Sequence, residues 1–211
     1  MNAFGLTGTI GCGKSTVANL LSKYQDVSIF DCDRIAKEII SGTEHRKETA
    51  NILEADVFPE GKVDFKAVAK IIFEKPEKKR LFEKLIHPLV WKAVQEKVDS
   101  TGNSQIYVVE SAIIYETASE GRFLATIVAV CNPREQFRRL RENRHMTDAD
   151  IRIRLGQQLP SSEKEKWAQF VIHTDCSLEH LKDRVSDLYQ NLKQQKGVNY
   201  ENTKSGLRGK P

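Results

Sequence analysis

Residues 8 to 15 run Gly8-Thr9-Ile10-Gly11-Cys12-Gly13-Lys14-Ser15, the G-x-x-x-x-G-K-S/T spacing of a loop that wraps phosphate. The glycines let backbone amides turn inward around phosphate oxygens, and the start of a following helix adds unpaired donors and a positive dipole end. In such a loop Lys14 reaches the β- and γ-phosphates, and the Ser15 hydroxyl takes a place on Mg²⁺. A plain glycine-rich turn from strand to helix needs neither the lysine nor the hydroxyl. A dinucleotide fingerprint fits worse, because the position three after Gly13 is Thr16.

The elements needed to hold this loop surround it. Ala3-Phe4-Gly5-Leu6 predicts a buried strand, and Val17, Leu20, Leu21 and Tyr24 recur on one helical face after the loop. Four further apolar runs predict strands: Val27 to Phe30, Ile106 to Val109, Thr126 to Val130 and Phe170 to Ile172. Helical patterns separate them, which implies βαβ units and a doubly wound, parallel five-stranded α/β sheet. Roughly 70 residues separate the second and third strands, where a plain crossover needs a dozen or two. That insert, 34–103, reads as a small helical subdomain. Phe65, Val68, Ala69, Ile72 and Phe73 follow one helical face, and Leu81, Phe82, Leu85 and Ile86 another. Asp64 is placed to N-cap the first of these helices, while Pro76 and Pro88 suit the first turns of two more. Gly102-Asn103 marks a turn before the third strand. The core is expected at 1–33 and 104–193, and the polar residues 194–211 are expected as a frayed tail.

Ligands of open α/β sheets collect beyond the carboxyl ends of the strands. Asp31-Cys32-Asp33 follows the second strand at that edge, where two carboxylates can bind a metal, orient an acceptor hydroxyl or take its proton. The plainer alternative is that Asp33 N-caps a helix beginning at Arg34, with Asp31 doing likewise nearby. Arg134, Arg138, Arg139, Arg141, Arg144, Arg152 and Arg154 follow the fourth strand. Planar guanidinium groups clamp phosphate oxygens, so this segment suits a lid over about 134–160. Intrahelical pairing with Glu135 and Glu142 is the competing account. Glu110 ends the third strand and suits either a water of the Mg²⁺ shell or a turn cap. His87 before Pro88 suits a ligand or a capping role. Cys12 lies inside the phosphate loop, either as a small residue that fits or as a thiol made reactive by the loop dipoles.

The whole chain of 211 residues has 33 basic and 29 acidic residues and a formal charge of +4, too balanced to suggest a nucleic-acid coat. Cys12, Cys32, Cys131 and Cys176 lack C-x-x-C spacing, so neither a zinc site nor a disulfide framework is expected. No stretch approaches the roughly 18 apolar residues of a membrane helix, and no basic segment with an apolar run precedes the loop. A cytoplasmic protein with reduced thiols, binding neither membrane nor nucleic acid and most simply monomeric, is the expectation.

Together these residues resemble the dephospho-CoA kinase family. Gly5-Leu6-Thr7-Gly8 leads into the loop, and Asp31-Cys32-Asp33 with Ile35-Ala36 fits the family's D-x-D-x-I-A. Arg80 with Leu81, Glu83, Ile86, His87 and Pro88 fits its arginine-leucine to histidine-proline stretch. Glu110 to Glu116 resembles its strand-end segment, and Arg154, Gln158 and Pro160 its R-x-x-x-Q-x-P. The resemblance covers nearly all of the chain before the tail. It implies a P-loop NTPase-type fold and ATP- and Mg²⁺-dependent phosphorylation of the ribose 3′-hydroxyl of dephospho-CoA, the last step of coenzyme A biosynthesis.

By the same resemblance Asp33 is the general base, assisted by Lys14 and Arg139. Gly11, Cys12, Gly13, Lys14, Ser15, Thr16 and Arg144 bind ATP. Asp31, Asp33, Arg80 and His87 bind the acceptor, Ser15 and Glu110 the metal, and the inserted helices form a CoA-binding domain. Two departures stand out. The lid helix of the family often carries two arginines four apart, whereas Arg139 is followed by Asn143, which leaves Arg141 and Arg144 as candidates for the second. Where the family commonly shows A-D-x-V-I-x-N, this chain has Ala168-Gln169-Phe170-Val171-Ile172-His173-Thr174, so adenine contacts do not transfer. A nucleoside or nucleoside-monophosphate kinase shares the loop, sheet and lid, and a non-catalytic nucleotide switch shares the loop.

Overall fold

The computed structural model describes residues 1–100 and 105–207; the expected turn at Gly102-Asn103 lies outside them. Five strands form: β1 (Phe4–Thr7), β2 (Val27–Asp31), β3 (Ile106–Glu110), β4 (Thr126–Val130) and β5 (Phe170–His173). The helices in chain order are α1 (Lys14–Leu21), α2 (Cys32–Ser41), α3 (Arg46–Leu53), α4 (Phe65–Glu74), α5 (Pro76–Ser100), α6 (Pro133–Arg144), α7 (Asp148–Gly156), α8 (Ser161–Trp167) and α9 (Leu178–Leu207). The chain divides into two compact units, one of residues 1–30 with 101–211 and the other of residues 31–100.

In the first unit the parallel sheet has the order β2-β3-β1-β4-β5, with Phe4 opposite Val108 and Gly5 opposite Thr126. The first strand is central, so every residue of β1 and β4 is buried, which explains why both read as continuous apolar runs. Alternate side chains serve opposite faces. Phe4, Leu6, Ile127, Ala129 and Ile172 pack with Val17, Leu20 and Leu21 of α1 and with Leu181, Val185, Leu188 and Leu192 of α9. Val128 and Val130 instead meet Tyr115 on the other side, with Leu159 and Ala168 packed against them.

Of the tail expected as frayed over 194–211, residues 194–207 are helical, and 208–211 lie outside the described residues. Helix α9 continues to Leu207, and Lys196 within it donates to the Gln105 carbonyl and lies over the Tyr107 ring. Gln194, Gln195 and Lys196 are polar but good helix formers, so polarity alone does not end the helix. Tyr189 also ties α9 down, donating to Asp26 at 2.8 Å and stacking on Tyr24 with ring centroids 3.8 Å apart.

The second unit is wholly helical apart from short turns. Its boundaries are Asp31–Ser100 rather than 34–103, because α2 begins at Cys32, two residues before the expected start. Asp64 caps α4 as expected, accepting from the amides of Lys66 and Ala67. Pro76 opens α5, but Pro88 lies inside it and starts no new helix. The buried positions Phe82, Ile86, Val90, Val94 and Val98 continue at a spacing of four straight past the proline. Burial of that stripe in the unit formed with α2, α3 and α4 outweighs the hydrogen bond that a proline without an N–H forfeits. No helix among the described residues is long and apolar enough to cross a membrane.

Candidate active site

The phosphate loop takes its shape from glycines in conformations closed to other residues. Gly13 has φ +89°, and a Cβ there would lie 2.9 Å from the Thr174 hydroxyl and 3.1 Å from Arg139 Nη1. A Cβ on Gly8, at φ +144°, would come within 2.3 Å of the Ala129 carbonyl oxygen. Inside the loop the Cys12 amide donates to the Thr9 carbonyl, and the Ile10 amide to Gln158 Oε1 at 2.8 Å. The amides of Gly11, Gly13, Lys14 and Ser15 carry no hydrogen bond among the described residues. Four donors at a helix start make an anion cradle. Lys14 Nζ rests on the carbonyls of Gly8 at 2.9 Å and Thr9 at 3.3 Å. Ser15 Oγ donates to Glu110 Oε1 at 2.8 Å, which pairs two hard oxygens of the kind that Mg²⁺ prefers.

Helix α6, capped by Asn132 with Pro133 in its first turn, closes the same cleft. A space of about 470 Å³ is lined by Gly11, Gly13, Lys14, Ser15 and Thr16 on one side and by Arg138, Arg139 and Arg144 on the other. Of the expected arginines, Arg138 is taken up by Glu135 and Glu142, as the intrahelical account has it. Arg141 is held by Asp148 through two bonds of 2.6 and 2.7 Å. Arg139 donates to Glu135 at 2.7 Å and to the hydroxyl and carbonyl of Thr174 at 2.8 and 2.6 Å.

Hydrogen bonds from Arg138, and then from Arg139, hold the Glu135 carboxyl at about 2 against the opposing effect of burial. The same carboxyl titrates near 4.5 when unperturbed. The folded state therefore favours the charged form, and this contribution to stability is complete above the unfolded value and is lost as the pH falls through 4.5 toward 2. Glu135→Gln removes it, so urea titrations across that window are expected to give a flatter stability curve for the variant; a wild-type slope in the variant would refute the assignment.

The loop is braced by side chains that residue type alone does not mark, Gln136, Ser161 and Lys164. Gln136, almost fully buried, donates to Thr9 Oγ1 at 2.8 Å and to the Ile10 carbonyl at 2.6 Å. Thr9 Oγ1 also lies 3.1 Å from Ser161 Oγ. Lys164, 0% exposed, donates to the Ala112 carbonyl at 2.8 Å and pairs with Glu116 at 2.7 Å. Burial pushes the Lys164 ammonium below the usual lysine range, and the Glu116 carboxylate pulls it back. Glu116 accepts in addition from the Leu159 amide at 3.0 Å. A charged residue inside a short polar helix, Ser161–Trp167, gives no sequence signal of burial.

Cys12 joins the loop through its backbone, but its side chain is 1% exposed and belongs to the hydrophobic core. That burial suits a small residue that fits the loop and offers a reactive thiol little access. In the second unit, Asp31 rather than Asp33 caps α2, accepting from the amides of Asp33 and Arg34 at 2.9 and 3.2 Å. Asp33 is exposed in the first helical turn, and no hydrogen bond among the described residues engages its carboxylate. Arg80 and His87 lie seven residues apart on α5, where burial lowers the His87 pKa and Glu83 partly offsets it. Burial therefore favours the uncharged form of the His87 imidazole.

A central strand feeding this loop, with an arginine helix closing the cleft over it, defines a phosphate-loop kinase fold. Shikimate kinase from Acinetobacter baumannii shares the fold at TM-score 0.52, with 16% identity over 93% of this chain and 95% of that one. The crystal structure of TT1252 from Thermus thermophilus superposes with TM-score 0.77 and 28% identity, covering 90% of this chain and 97% of that one. Residues 2–180 match the family model for dephospho-CoA kinase. The dephospho-CoA kinase of Bdellovibrio bacteriovorus is 30% identical over 92% of this chain and all of its own length. That of Nitrobacter winogradskyi is 32% identical over 89% and 94%. The chain belongs to the dephospho-CoA kinase family, transferases that phosphorylate a hydroxyl group.

Proposed function

We propose that the protein transfers the γ-phosphoryl group of ATP to the ribose 3′-hydroxyl of dephospho-CoA, with Asp33 as the base. The observation that carries this reading is the single cleft in which the open loop amides, Lys14 and Arg139 converge. The amides and Lys14 hold the β- and γ-phosphates; Arg139 neutralises charge on the migrating group. Arg144 is the second lid arginine rather than Arg141, a choice supported by its place in the cleft lining and by the commitment of Arg141 to Asp148. Thr16 completes the binding of ATP at the start of α1.

The Ser15 and Glu110 oxygens fit magnesium and would hold it directly or through water. The ion would supply charge neutralisation at the phosphates. Asp33 takes the acceptor proton as the bond to phosphorus forms, a role supported by Asp31 having assumed the capping task. The helical unit, with Arg80 and His87 on one helix, receives the dephospho-CoA. The four free cysteines suit a reducing compartment, and we read the enzyme as a cytoplasmic monomer.

Purified protein given ATP, Mg²⁺ and dephospho-CoA should yield coenzyme A, detected by mass spectrometry with the added phosphate on the ribose. Preferential phosphorylation of adenosine or AMP would overturn the acceptor assignment.

A further inference from the structure

Thr174, the residue after β5, stands between the two halves of the cleft. It is 2% exposed, and its amide donates to the Val130 carbonyl at 2.8 Å, which anchors it to the end of β4. Its hydroxyl lies 2.7 Å from the Cys12 carbonyl and 2.8 Å from Arg139 Nη1. A hydroxyl has one proton, and a guanidinium has only donors. The proton therefore goes to Cys12, and the oxygen accepts from Arg139. The Thr174 carbonyl accepts a second bond from Arg139, through Nη2 at 2.6 Å.

Arginine has five N–H donors in a fixed plane. Glu135 and the two Thr174 oxygens engage three of those on Arg139, leaving one on each terminal nitrogen for a ligand. We infer that Thr174 is a positioning residue that fastens Arg139 to the phosphate loop before nucleotide arrives. The guanidinium is then presented in one orientation, and its reorganisation is not left to the moment of reaction. The inference rests on the proposed role of Arg139 at the phosphates. It adds that Arg139 is set by the loop itself, through the Cys12 carbonyl.

Thr174→Val keeps the shape and removes the hydroxyl, Thr174→Ala removes it by a second route, and Thr174→Ser keeps it. Steady-state kinetics of the full chain at saturating dephospho-CoA should give, for Val and Ala, a kcat about tenfold lower with the KM for ATP changed less than about threefold, as expected of a residue coupled to a charged neighbour. Thr174→Ser should stay within about twofold of wild type. In an Arg139→Lys background, already slow, Thr174→Val should add little, because the lysine cannot use both Thr174 oxygens in the same geometry. A full wild-type kcat in Thr174→Val, or an equal loss in both backgrounds, overturns the inference. An undiminished kcat in Arg139→Lys alone overturns the role assigned to Arg139 instead.

Discussion

Asp33→Asn should lower kcat by about 10²–10⁴-fold, the usual worth of a general base, while leaving ATP affinity as it was. The separation follows from the local structure. Asp31 accepts the amides at the start of α2, and Asp33 does not. Removing the Asp33 charge therefore costs the helix little, whereas Asp31→Ala should lose about 1 kcal/mol of stability through the missing cap. Coenzyme A formation measures the first effect, calorimetric ATP binding its restriction to turnover, and urea unfolding the second. If Asp33→Asn weakened nucleotide binding and turnover alike, the base assignment would fail.

Lys164→Met should destabilise the protein by about 3–5 kcal/mol, the range for breaking a buried ion pair from one side. The lysine is completely buried, and its loss strands Glu116, whose Oε2 is itself buried with no hydrogen bond among the described residues. The loss reaches the site as well, because Glu116 holds the Leu159 amide between Gln158 and Ser161, both of which touch the phosphate loop. Pairing the change with Glu116→Gln should recover a large part of the stability, since no uncompensated charge then remains. Denaturant midpoints of the single and double variants decide it; a single-variant loss under about 1 kcal/mol would show that the pair is dispensable.

The parts of this molecule legible in its sequence are those set by short-range pattern. The inner strands β1, β3 and β4 are nearly continuous apolar runs because both faces of the sheet are covered there, the short edge strands β2 and β5 still show as brief apolar runs, and the loop is a fixed spacing between β1 and α1. Asp64 announces its helix by residue type and place. Pro88 misleads because its local preference is outweighed by an apolar stripe on either side of it. The supports of the site are illegible for a different reason. Gln136 meets Thr9 across 127 positions of sequence, and Lys164 meets the Ala112 carbonyl across 52. A glutamine on an arginine-rich helix and a lysine in a charged one look like surface residues until the fold brings their partners to them. Neither candidate for the second lid arginine stands four residues from Arg139, and what separates them is three-dimensional: Arg144 lines the cleft, whereas Arg141 pairs with Asp148.

The resting place of Lys14 bears on how the nucleotide exchanges. With its ammonium seated on two carbonyls of its own loop, the lysine carries an internal rival for every incoming phosphate and a ready substitute when the spent nucleotide departs. On the proposed reading, the loop itself therefore competes with the nucleotide for its own lysine, and an emptied site still leaves that ammonium solvated by protein oxygens.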